Sequence, residues 1–174
     1  MIPLSLPVYS LEKTEKYTEA IAPFTNRWED GTIHNLPQDY ADMIAWKELA
    51  DLVTDTYLDL PEESKKECLI FADEYCTAGA ILFYGKNHGL PEPICFNDNF
   101  LLWAPDSINP DVLIYVNNHI GDVEWVFENN RLAGQINNKY YREDGVKVYI
   151  CTQPNDTLPL FYAQKVAGLK NKYR

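Results

Sequence analysis

The sequence predicts an α/β fold: a three-layer α/β/α sandwich on a mostly parallel sheet, Rossmann-like or flavodoxin-like in outline. Three observations lead there. Short apolar runs such as "CLIFA" (68–72), "DVLIYV" (111–116) and "VKVYIC" (146–151) have the length and β-branched content of buried strands. Segments with helical character separate several of them, and that alternation is the mark of βαβ units. The 174 residues suit one domain with a full core, and 46% hydrophobic with 13% aromatic residues is a globular composition.

The elements follow in order. Residues 1–9 read as extended, because Pro3 and Pro7 disfavour helix. Ser10 caps a short polar helix over Leu11–Ala20, which Pro23 stops. Residues 1–22 thus form a linker and a short helix, and 23–174 a single α/β domain. "NRWEDGTIHNLP" is a loop with an Asp30-Gly31 turn. The strongest helix spans "DYADMIAWKELADLVTDTYLDL", where Tyr40, Met43, Trp46, Leu49, Val53 and Tyr57 recur at helical spacing. Pro61 ends it and opens a helical turn, "PEESKKE".

The strand at 68–72 is then followed by a helix, "TAGAILFYG", and a second short strand, "PICF". The third strand is 111–116, "GDVEWVFEN" a short helix, "RLAGQI" the fourth strand and 146–151 the fifth. The last strand is free to run antiparallel, because only a loop-like stretch with Asp144-Gly145 precedes it. Thr157 caps a final helix with Pro159 in its first turn.

Charge narrows the partners. The formal net charge is -11, which opposes binding to nucleic-acid phosphates and to anionic membrane surfaces. Of the four cysteines, Cys68, Cys95 and Cys151 lie in or beside apolar runs and read as buried free thiols, and no C-x-x-C spacing suggests zinc. His34, His88 and His119 are not paired at metal-ligand spacing and read as solvated. No metal and no cofactor is expected. The turn before "TAGAILFYG" lacks the glycines of a dinucleotide fingerprint, and there is no phosphate-binding loop or nucleophile elbow.

In open α/β sheets ligands gather beyond the carboxyl ends of the strands. The residues to inspect there are Asp73, Glu74 and Tyr75, then Asn97, Asp98 and Asn99, then Asn117, Asn118 and His119, then Thr152 and Gln153. Asn and Asp are also common at such places for purely local hydrogen bonding. The candidate ligand-binding cleft comprises Glu74, Tyr75, Thr77, Asn97, Asp98, Asn99 and Trp103. Glu74 with Asp98 is the carboxylate pair available for acid/base work. Phe100, Trp103 and Trp28 lie in or near loops, where ring faces stack on sugars or plug the core.

Three stretches together resemble a known family. "MIPLSLPVYSLEK", "LPQDYADMIAWKELADLV" and "EYCTAGAILFYGKNHGLPEPICFNDNFLLWAP" are similar to the C-terminal extracytoplasmic region of bacterial membrane glycosyltransferases. These are the relatives of dolichyl-phosphate-mannose protein mannosyltransferases and of the lipid A aminoarabinose transferase. The matching positions are Leu36 to Asp42, Tyr75, Ala78, Gly79, Ala80, Tyr84-Gly85, Gly89-Leu90-Pro91, Asn99, Leu102-Trp103 and Pro105. The family's polar turn residues are replaced by Glu74, Cys76 and Thr77, and its His by Asn97. The resemblance implies a soluble, non-catalytic domain outside the inner membrane, attached to a membrane domain that binds the polyprenyl-phosphate sugar. Its expected ligand is a carbohydrate or glycolipid. The alternative is a stand-alone, cytoplasmic α/β enzyme acting on a small polar or carbohydrate substrate at the strand ends.

Overall fold

A computed structural model describes residues 6–21 and 23–173. The extended reading of residues 1–5 lies outside them. The chain divides into two compact units, one of Met1–Ala45 with Asn137–Asp144, the other of Trp46–Ile136 with Gly145–Arg174.

The smaller unit holds α1 (Leu11–Ile21) and α2 (Gln38–Ala41). Ser10 Oγ accepts from the Lys13 amide at 3.4 Å, the expected cap. Leu36, Tyr40 and Tyr140 form its apolar cluster, with Leu11 and Ile44 packed against them. Between the helices, Arg27 and Ile33 form a single antiparallel bridge around the Asp30-Gly31 turn.

The larger unit begins with α3 (Trp46–Leu58) and α4 (Glu62–Lys66). One continuous helix was expected over 39–60, but it breaks at Ala45, which sits at φ 62. The apolar stripe serves two cores: Tyr40 is buried in the smaller unit, Leu49 and Val53 in the larger. Then follow β1 (Cys68–Ala72), α5 (Tyr75–Gly85), α6 (Phe100–Trp103), β2 (Val112–Asn117), β3 (Phe127–Gln135), β4 (Lys147–Pro154) and α7 (Leu158–Lys170).

The architecture is α/β, and the sheet is mixed rather than mostly parallel. Its order is β1-β2-β4-β3. Among the described strands only β1 and β2 are parallel neighbours, with Ile70 beside Ile114. β4 is antiparallel to β2 and to β3. The β1–β2 link, with α5 and α6 in it, gives the crossover of a dozen or more residues that parallel neighbours need. β3 runs in the same direction as β2 but is not its neighbour, and β4 enters the sheet between them, against both.

Two further expectations fail for local reasons. "PICF" contributes a single parallel bridge, Ile94 to Phe71, because Pro93 has no N–H to extend a ladder. The helix expected at 121–129 is a 3₁₀ turn over Gly121–Trp125, after which β3 starts at Phe127. Asn129 and Asn130 are poor helix formers, and pairing with Thr152 and Cys151 takes their backbone instead.

Strand alternation sorts the core. Leu113 and Tyr115 of β2 and Cys151 of β4 pack with Leu158, Tyr162 and Val166 of α7. α3 packs on α5 and touches β2 and β4. Gly134 of β3 lies where a Cβ would come within 2.7 Å of Leu52 Cδ1, so the strand passes close beneath α3.

Candidate functional site

Because β1 and β2 are parallel, the residues that leave them emerge on the same side of the sheet. Asp73 and Glu74 follow β1, Asn117 ends β2, and Asn97 follows the bridge segment beside β1. Short hydrogen bonds tie these turns together. The Asp73 amide donates to Val116 O at 3.2 Å. Asn97 Nδ2 donates to Asp73 O at 3.0 Å and to Glu74 Oε2 at 3.1 Å. Asn117 Nδ2 donates to the Tyr115 hydroxyl at 2.9 Å.

These groups open onto a cavity of about 420 Å³ in the larger unit. Its polar lining is Asp73, Glu74, Asn97, Asn117, His119, Asp122 and Lys165. Its wall is aromatic. Tyr115 and Phe71 have centroids 5.9 Å apart, Phe71 and Phe96 4.9 Å, and Phe96 and Tyr162 5.4 Å. Phe127 and Phe161 complete it.

The electrostatics are lopsided. Lys165 Nζ reaches Asp122 Oδ2 at 3.3 Å. Burial pushes the Tyr115 hydroxyl up to about 12, against the Asn117 bond, and the Asp73 and Asp122 carboxylates add to the rise. Burial likewise raises Tyr162, and Asp106 adds to it. The Tyr162 hydroxyl is buried with no hydrogen-bond partner among the described residues. Burial pushes the Cys95 thiol up to about 11, and the nearby Asp73, Glu74 and Asp98 carboxylates raise it further. These neighbours place several negative charges around one end of the sheet.

Of the seven expected cleft residues, Glu74 and Asn97 line the cavity. Tyr75 opens α5 and is exposed, while Thr77 is 2% exposed inside that helix. Asp98, at φ 50, and Asn99 are exposed and lie off the cavity wall. Trp103 is 73% exposed and lines a separate hollow with Leu82, Pro93 and Phe100. Glu74 and Asp98 are therefore not both on the wall of the cavity. Among the wider strand-end set, Asp73, Asn117 and His119 are on it. Thr152 and Gln153 are not: β4 is antiparallel, so Thr152 pairs with Val112 at the start of β2. Gln153 instead accepts from Asn129 Nδ2 at 2.7 Å.

Sequence reading missed the aromatic wall. Tyr115 and Tyr162 count as core residues by alternation and helical spacing. The signal available was that each carries a hydroxyl that a buried site must satisfy.

His34 is more tightly held than a solvated loop residue. It stacks on Trp28 at 3.6 Å, and its Nε2 meets Asp30 Oδ2 at 2.8 Å and Thr32 Oγ1 at 2.7 Å. Trp28 is half-buried and donates from Nε1 to Leu36 O at 2.7 Å, which makes it a structural member of the smaller unit.

Among the described residues no group of three His, Cys, Asp or Glu side chains is placed to hold a metal ion, and no helix is long and apolar enough to cross a membrane. No family model, no curated protein and no solved structure matches the chain.

Proposed function

We propose that this chain is a ligand-binding α/β domain without catalysis of its own, whose cavity takes a carbohydrate or glycolipid. The observation that carries the reading is the cavity itself, lined by Phe71, Phe96, Tyr115 and Tyr162 together with Asn97, Asn117 and the carboxylates of Asp73, Glu74 and Asp122. Ring faces suit the apolar faces of pyranoses, and a few fixed polar groups suit their hydroxyls. The three stretches similar to the C-terminal region of polyprenyl-phosphate-sugar-dependent glycosyltransferases support the same reading. On it, the domain stands outside the inner membrane beside a membrane domain of the same protein, and its helices are layered α/β/α about the sheet.

The test is an NMR titration of the ¹⁵N-labelled protein with neutral monosaccharides and alkyl glycosides. Saturable shifts of the Asn97 and Asn117 side-chain amides are the expected result. Their constancy at tens of millimolar glycoside would overturn the reading.

A second reading, a stand-alone enzyme, draws on the Glu74 carboxylate, which lines the cavity and is steadied by Asn97. There Glu74 is the acid/base group, without Asp98, which lies off the cavity wall. Glu74→Gln then abolishes turnover of a carbohydrate substrate without loss of stability, and unchanged turnover would sink it.

A further inference from the structure

The charge of the cavity narrows what enters it. Three carboxylates, Asp73, Glu74 and Asp122, share its lining with one ammonium, Lys165. That ammonium is engaged by Asp122. Among the described residues neither Asp73 nor Glu74 has an ion-pair partner, and Glu74 has only the Asn97 amide. His119, Tyr115 and Tyr162 are the other titratable groups on the wall.

Two independent features complete the picture. The run of rings from Tyr115 through Phe71 and Phe96 to Tyr162 lines the same cavity as those carboxylates, and aromatic rings together with carboxylates are what hold organic cations. Tyr162, 4% exposed, carries a hydroxyl with no hydrogen-bond partner among the described residues, and its oxygen can accept from an ammonium N–H. A phosphate here would face two uncompensated carboxylates at close range.

We propose that the cavity recognises a protonated amine: an organic ammonium whose apolar ring lies along the aromatic wall, whose nitrogen faces Asp73 and Glu74, and which is preferred over a phosphate-bearing analogue. This deepens the reading of the cavity as a ligand site and rests on it.

Three probes of one shape test it by calorimetry on the full chain: phenethylamine, phenethyl alcohol and phenethyl phosphate. The amine binds about tenfold tighter than the alcohol, the gain expected from two carboxylates at partly exposed range, and the phosphate does not bind. The Asp73→Asn, Glu74→Gln double variant brings the amine to the alcohol's affinity and leaves the alcohol unchanged. Equal binding of amine and alcohol, or tightest binding of the phosphate, overturns the amine preference while the cavity remains a ligand site. Absence of binding by all three probes and by the neutral glycosides overturns both.

Discussion

The two units of this chain are held together by different physics. The larger buries Ile70, Ile114, Val116 and Val148 in the middle of a sheet. The smaller has a slender apolar cluster around Leu36, Tyr40 and Tyr140, and its buried residues include Thr14, Thr18 and Asn26. Charge-assisted hydrogen bonds make up the difference. Glu15 accepts from the Tyr140 hydroxyl at 2.6 Å and from Lys139 at 2.9 Å. Arg142 joins Glu29 and Asp42. The lesson is that the larger unit answers to lost volume, and the smaller to pH and salt.

Lost volume gives the largest effect. Ile114→Ala, at a site with no exposure in the centre of the sheet, lowers the stability of the larger unit by about 3–4 kcal/mol. Urea unfolding followed by far-UV circular dichroism reads it, and a loss below 1 kcal/mol would mean that the sheet is not the core.

Charge comes next. The Tyr140 hydrogen bond first, then Lys139, hold the Glu15 carboxyl below its ordinary value of 4.5. A depressed folded pKa gives stability that is present above that value and lost as pH falls through the folded one. Glu15→Gln therefore weakens the smaller unit at pH 7 by about 1 kcal/mol, and the difference from the natural chain closes in acid. Amide exchange at α1 across pH measures this. A gap that persists at pH 2 would show that Glu15 acts through packing instead.

The Tyr162→Phe variant has the opposite sign. It removes a buried hydroxyl without a partner, so the ligand-free protein gains about 1 kcal/mol in urea unfolding. A loss would reveal a partner for that hydroxyl.

The smallest perturbation is chemical labelling. Burial pushes Cys68 and Cys151 up to about 12 and Cys95 up to about 11, whereas Cys76 is partly exposed. A disulfide reagent at pH 8 titrates one thiol quickly in the native protein and four after denaturation. Two fast thiols would mean that one of the buried three is open.

How much of this was legible follows from what each signal measures. Apolar runs mark buried strands, so β1 was readable to the residue and β2 to within one. The cap at Ser10 and the proline at 159 marked the starts of α1 and α7 for local reasons, while Thr157 stands at the N-cap position of α7 without a side-chain cap bond. Strand direction is not a local property, so the sheet was expected to be mostly parallel with the last strand free to run either way, and its antiparallel course takes Thr152 and Gln153 to the other end. Polar residues after β1 and β2 pointed to Asp73, Glu74, Asn117 and His119. The aromatic wall stayed hidden because Phe71 and Phe96 look the same in a cavity as in a core. The helix break at Ala45 was hidden too, since periodicity does not show that its stripe serves two clusters.

The smaller unit is interrupted: residues 137–144 reach it only after three of the four strands have been made. Glu15 and Tyr140, bonded to one another, stand 125 positions apart. Closing a loop of that length costs about 4 kcal/mol of chain entropy before its bonds form. The partners of α1 thus lie near the far end of the chain, whereas β1 and β2 are complete before them in sequence. The smaller unit is therefore expected to open before the sheet does, and the population of that open form governs how fast a protease cuts α1.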